Sequence, residues 1–269
     1  MGKDFLEVIV KHKKEEIAEA KKLIPESQLC KDAFTSIIKR RPFIKKLEKP
    51  GPSGVNIIAE IKRASPSKGA ICPDLNPAAY ALEYEKGGAA AISVLTDQPY
   101  FKGSLDDLKK ARNASTLPVL RKDFLISSYQ IYESSAIGAD AVLLIARILS
   151  QEQLRDYLKL CNELKLDALV EIHSEKDLEA ATRAKARLIG INNRNLSSFE
   201  TNIDTAIKLV SLLESYQIAV AASGIQYRDD IVKSQQAGIW NFLIGESLVR
   251  AENCQAFLRS LMGLDGLDE

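Results

Sequence analysis

Residues 50–62 read Pro-Gly-Pro-Ser-Gly-Val-Asn-Ile-Ile-Ala-Glu-Ile-Lys, and the chain changes character there. Two prolines and two glycines within five residues cannot continue a helix, because proline lacks an amide hydrogen and glycine costs backbone entropy. The apolar run that follows is short and closed by charge, as a buried strand would be. Seven more runs of this kind follow, at 90–95, 118–120, 141–145, 168–172, 188–191, 218–221 and 241–244. Between them lie stretches with apolar residues at helical spacing, at 77–86, 105–112, 129–137, 151–164, 175–184 and 204–213, with a last one near 253–261. Strands that alternate with helices make parallel sheets, since parallel neighbours need a crossover. Eight such units over residues 55–269 predict an α/β protein of the (β/α)8 TIM-barrel class. A doubly wound open sheet is the runner-up. Its dinucleotide-binding form is weakened by the lack of Gly-x-Gly-x-x-Gly after the first strand.

On the N-terminal side of the break, Phe5, Val8, Ile9, Ile17 and Ala20 recur at helical spacing among lysines and glutamates. A second apolar and basic stretch, 33–47, predicts another helix. Residues 1–54 are therefore expected to form a helical extension that packs on the barrel of 55–269, the two making one structural domain.

The bulk composition narrows the function. The 269 residues carry 37 basic and 36 acidic side chains, a formal net charge of +1, which argues against a nucleic-acid partner. Cys30, Cys72, Cys161 and Cys254 lie far apart without a CxxC pair, and only His12 and His173 could join them in a metal site. Neither a disulfide framework nor a zinc site is expected. The cysteines and Trp240 read as core fillers, His12 as a solvated helix residue and His173 as a loop or helix-cap residue. No apolar run approaches the ~20 residues of a membrane helix, and the N-terminus is too polar for a signal peptide. A cytoplasmic protein without a membrane partner is the expectation.

In a barrel of this kind, chemistry sits at the C-terminal ends of the strands. The first strand ends with Glu60 and Lys62, which alternation places on one side. The third ends with Lys122 and Phe124, the fifth with Glu171, and the sixth with Asn192 and Arg194. Taken singly, each has an ordinary reading as a solvated turn, a helix cap or a structural ion pair. Four charged ends converging on one mouth are a stronger signal, because unpaired buried charge is costly. The seventh and eighth strands end in Ser223-Gly224 and Gly245-Glu246. Backbone amides can approach a ligand there, and these two loops are the usual phosphate grip of the fold. A phosphorylated small molecule is the expected ligand.

Several segments resemble the indole-3-glycerol phosphate synthase family: Ala-Glu-Ile-Lys-Arg-Ala-Ser-Pro-Ser at 59–67, Leu-Arg-Lys-Asp-Phe at 120–124, Leu-Val-Glu-Ile at 169–172 and Gly-Ile-Asn-Asn-Arg-Asn-Leu at 190–196. The first is highly specific, and the resemblance covers nearly the whole chain. It implies a lyase of tryptophan biosynthesis, without metal or organic cofactor, acting as a monomer or weak homodimer. Such a carboxy-lyase converts 1-(2-carboxyphenylamino)-1-deoxyribulose 5-phosphate to indole-3-glycerol phosphate, carbon dioxide and water. Carried over by resemblance, Lys122 is the general acid, Glu171 the base for dehydration, Lys62 a partner for substrate anions, and Glu60 the group that holds the lysines. Ser65, Asn192 and Arg194 would bind and orient the substrate, and Phe101, Phe124 and Leu196 would form the platform for its aromatic ring. Ser223, Gly224, Gly245 and the amide of Glu246 would hold phosphate. The extension is implied to pack over the barrel mouth.

One position departs from the pattern. Where the family reads Glu-Ser-Gly-Ile after the seventh strand, this chain reads Ala222-Ser223-Gly224-Ile225. An alternative therefore stands beside the synthase: a barrel of the same family that binds the phosphate ligand but turns it over weakly. A phosphoribosylanthranilate isomerase ranks last, because it would need a cysteine base where this chain has Glu60 and Lys62.

Overall fold

The eight apolar runs pair in parallel as β1 (Asn56–Ile61), β2 (Ala91–Leu95), β3 (Val119–Lys122), β4 (Ala141–Ile145), β5 (Asp167–Ile172), β6 (Leu188–Asn192), β7 (Ile218–Ala222) and β8 (Asn241–Ile244). They close into one barrel, in which β1 pairs with both β2 and β8. This computed structural model describes residues 5–36, 38–194 and 200–264. The expected TIM barrel is the observed one.

Alternation within the strands sorts the side chains. Ile58, Leu120, Leu143, Leu169, Leu188, Val220 and Leu243 fill the barrel, whereas Ile57, Ile92, Val119, Val142, Val170, Ile189 and Phe242 pack outward under the helices. Those helices are α4 (Pro77–Lys86), α6 (Leu105–Ala114), α7 (Ser128–Ala136), α8 (Gln151–Glu163), α9 (Glu175–Arg183), α10 (Asp204–Val210), α11 (Arg228–Gln236) and α13 (Cys254–Met262). Several start on a side-chain cap that satisfies otherwise orphaned amides: Asn76 for α4, Ser104 for α6, and Ser150 with Gln153 as a capping box for α8. Two short helices, α5 (Gln98–Phe101) and α12 (Glu246–Arg250), sit in the loops after β2 and β8. Neither was expected from periodicity, since a single turn carries no repeat.

The N-terminal segment grips the barrel at both ends. Helix α3 (Phe43–Leu47) inserts Phe43 and Leu47, both fully buried, into the interior cluster. The strand starts fasten it there: Asp167 Oδ2 accepts from the Ile44 amide at 2.8 Å, and Asn241 Nδ2 and Trp240 Nε1 donate to the Leu47 carbonyl at 3.1 and 3.2 Å. Helix α1 (Phe5–Leu23) lies at the opposite end, where Leu6 and Ile9 line the cleft at the strand C-termini.

The helix expected over 33–47 is instead broken. Residues are helical in α2 (Glu26–Thr35) and again in α3, with extended chain over 38–42. Pro42 disfavours helix in the residue before it. Arg40 and Arg41 use that extended stretch to reach the barrel base: Arg40 donates to the Ala139 and Ser135 carbonyls, and Arg41 to those of Leu117 and Arg112. Among the described residues no helix is long and apolar enough to cross a membrane.

Candidate active site

The C-terminal mouth of the barrel opens into a cleft of about 700 Å³. Glu60, Lys62, Ser65, Phe101, Lys122, Phe124, Glu171, Asn192, Arg194, Ser223, Gly224, Gly245 and Glu246 all line it. The sequence-derived site residues thus converge, with two exceptions. Leu196 lies outside the described residues, and Ala222 sits just below the cleft, packed in the barrel interior.

Glu60, at the end of β1, is the hub of the charges. Its Oε1 is 2.9 Å from Lys62 Nζ and its Oε2 is 3.1 Å from Lys122 Nζ, the latter reaching across from β3. Burial by itself would raise the Glu60 pKa, but the two ammonium groups, Lys122 first, outweigh it and hold the carboxyl at about 2. For Lys122, burial favours the neutral amine and Arg194 adds to that; Glu60 and Glu171 prevail and raise its pKa above the ordinary lysine value. The lysine therefore carries its proton at neutral pH, as a proton donor must. A lysine acid with a lowered pKa, which burial and a neighbouring cation favour, is not what this geometry produces, because two carboxylates face one amine.

Glu171, at the end of β5, stands on the other side of the mouth. Its Oε1 accepts from Asn192 Nδ2 at 3.1 Å, and Asn192 Oδ1 in turn accepts from the Arg194 amide at 3.0 Å. One carboxamide thereby orients both the carboxylate and the chain that carries the guanidinium. His173 lies in the loop between β5 and α9, as expected. The cap of α9 is Ser174, and the His173 ring is buried with Nε2 3.5 Å from Glu171 Oε1. His12 is exposed as expected, but its Nδ1 is 2.5 Å from the Tyr100 hydroxyl.

The two ends of the cleft differ in chemistry. At one, Phe101 from α5 and Phe124 after β3 face each other with ring centroids 6.1 Å apart, beside Leu6 and Ile9 of α1. At the other, the chain turns through Ser223 (φ 66°) and Gly224 (φ 83°), and α12 starts at Gly245 without a side-chain cap. Uncapped amides at that start are a ready anion site. Gly245 has a second reason to be glycine: a Cβ there would collide with the Glu60 carboxylate. Ser65 Oγ is buried and, among the described residues, has no hydrogen-bond partner, so it is available to a ligand. No three His, Cys, Asp or Glu side chains among the described residues group as a metal cage.

Residues 6–261 match the sequence profile described as indole-3-glycerol phosphate synthase. The chain belongs to that family. It is 57% identical over 260 residues to the indole-3-glycerol phosphate synthase of Desulfosudis oleivorans, covering 96% of this chain and 98% of that one. It is 51% identical over 260 residues to the enzyme of the same name from Syntrophobacter fumaroxidans, covering 97% and 98%. The tryptophan synthase complex from Pyrococcus furiosus superposes with a TM-score of 0.58 at 13% identity, over 80% of this chain and 99% of that one, a likeness of fold alone.

Ala222, where the resemblance leads one to expect a glutamate, lies in the barrel wall at the end of β7. Ala222 pairs with Asn192 and Leu243 in the barrel wall and is 4% exposed, its methyl group joining the interior cluster. Sequence reasoning missed a buried polar group at the side of the mouth, under α1. Lys13 of α1 lies among Asp97, Asp123 and Glu16, and Asp123 also binds Arg121. A signal was present: the buried face of α1 runs Leu6, Ile9, Lys13, Ile17, so a lysine occupies a core position of the stripe.

Proposed function

We propose that this chain closes the indole ring by converting 1-(2-carboxyphenylamino)-1-deoxyribulose 5-phosphate to indole-3-glycerol phosphate, carbon dioxide and water. The observation that carries the reading is Glu60 clamped between Lys62 and Lys122 at 2.9 and 3.1 Å, opposite Glu171, in one cleft. Family membership and the identity of the relatives support it.

The substrate has an anionic phosphate at one end and an apolar ring at the other, and the cleft is built the same way. The turn at Ser223-Gly224 and the first amides of α12 hold the phosphate. Phe101 and Phe124 take the ring, and Lys62 pairs with its carboxylate. The ketone then lies within reach of Lys122. The ring carbon that bears the carboxylate attacks the ketone carbon, forming the new carbon–carbon bond, while Lys122 donates its proton to the oxygen. Loss of carbon dioxide restores the aromatic ring. The new hydroxyl takes a proton from Lys62, released from its partner by the loss of carbon dioxide, and leaves as water, while Glu171, oriented by Asn192, takes the proton of the adjacent ring carbon. Glu171 then returns that proton to Lys62, and solvent reprotonates Lys122. Placed proton transfer of this kind contributes about 10²–10⁴-fold in rate. The test is a stoichiometry: one carbon dioxide should appear per indole product. Product without carbon dioxide, or neither, would overturn the assignment.

A further inference from the structure

Lys13 is 1% exposed, in the middle of the apolar face of α1. Its ammonium is 3.0 Å from Asp97 Oδ2, 3.0 Å from Asp123 Oδ1 and 2.9 Å from Glu16 Oε2. Burial by itself favours the neutral amine, but Asp123, Asp97 and Glu16 outweigh it and hold the pKa above the ordinary lysine range. Glu16 is a half-exposed neighbour one turn along the same helix. The two aspartates are the partners across the interface.

They are held elsewhere to very different degrees. Asp123 accepts from the Phe124 amide at 2.8 Å, the Thr96 hydroxyl at 2.6 Å and Arg121 Nη2 at 3.2 Å. Asp97 accepts the Tyr100 amide on Oδ1 at 2.9 Å, and among the described residues its Oδ2 has no hydrogen bond beyond the ion pair with Lys13. Asp97 caps α5, the single turn that ends in Phe101, and Asp123 immediately precedes Phe124. One ammonium therefore ties together the two segments that carry the aromatic pair. His12 adds a second tie, its ring stacked on Tyr100 at 5.8 Å.

We propose that Lys13 is a positioning residue that sets the spacing of Phe101 and Phe124 and hence the grip on the aromatic end of the substrate. The proposal rests on the ring-closing reading of the cleft. The ammonium of Lys122 is fixed independently by Glu60, and the phosphate end is built on β7 and β8. Without Lys13, Asp123 keeps Arg121 and Thr96, whereas Asp97 keeps one backbone amide. The segment that shifts is α5, and with it Phe101.

The experiment compares Lys13→Met with the wild-type full chain by steady-state kinetics. It adds the Kd of the reduced substrate analogue, in which the ketone is an alcohol, and inhibition by inorganic phosphate. The expected result is a rise of about tenfold in KM and in the analogue Kd, with kcat within about threefold and phosphate inhibition unchanged. Unchanged KM, or equal losses at both ends of the cleft, would overturn the proposal. Should Lys13→Met not fold, Asp97→Asn keeps the cap on Tyr100 while removing the charge; the same split is expected, and an unchanged KM overturns the proposal. Wild-type protein that binds the analogue without turnover overturns the ring-closing reading, and Lys13 is then judged on the analogue Kd. Wild-type protein that binds nothing overturns both.

Discussion

The carboxylate of Glu60 on β1 and the ammonium of Lys122 on β3 meet at 3.1 Å, with β2 between their strands in the barrel wall. The closed, tilted barrel turns inward side chains of non-adjacent strands toward one another. The pairing fixes the proton on Lys122, and this has a consequence for pH.

Glu60 is the largest influence that raises the Lys122 pKa, against burial and Arg194, which lower it. Glu60→Gln removes that charge and leaves Glu171 alone against burial and Arg194. The alkaline limb of kcat/KM, where Lys122 loses its proton, should then move to lower pH by about 1–3 units. The acidic limb should not report Glu60 in the wild type, because its carboxyl titrates at about 2. A pH–rate profile of both proteins checks this; an alkaline limb that stays in place would disconnect the pair from the chemistry.

Ala222→Glu places at the end of β7 the carboxylate that the family resemblance leads one to expect there. Turnover should rise about tenfold, less than a general acid contributes, because Lys122 and Glu171 are already present. Thermal stability should fall, since the methyl group it replaces is packed against the interior cluster. An unchanged or lower rate, measured alongside the melting temperature, would count against a catalytic part for this position.

Phe43→Ala empties the base of the barrel. The side chain is fully buried in the interior cluster, so the loss should be about 3–5 kcal/mol of unfolding free energy, read from urea transitions. Because the plug lies at the end opposite the mouth, KM for the folded variant should be unchanged. A large change in KM with little loss of stability would show that the base and the mouth are coupled.

The barrel was legible because its strands are apolar on both faces and its helices are amphipathic, two patterns that differ in length and period. The charged strand ends were legible for the same reason: Glu60, Lys122 and Glu171 interrupt runs that are otherwise buried. Less legible were features that depend on contacts distant in sequence. The extended stretch at 38–42 exists because Arg40 and Arg41 find carbonyls at the barrel base some 70 to 100 residues away. Lys13 is one of several lysines in α1, and only the fold brings Asp97 and Asp123 beside it. Gly245 read as a phosphate-loop glycine, and only the fold revealed that it also makes room for Glu60.

The most direct measurement is kcat of Lys122→Met against wild type on the carboxyphenylamino-ribulose phosphate, followed by indole fluorescence without added metal, together with the Kd of the reduced analogue. Wild-type turnover, a fall in kcat of about 10²–10⁴-fold in the variant and an analogue Kd within about threefold are expected if Lys122 delivers the proton. A variant that keeps its kcat within a few-fold would contradict that role.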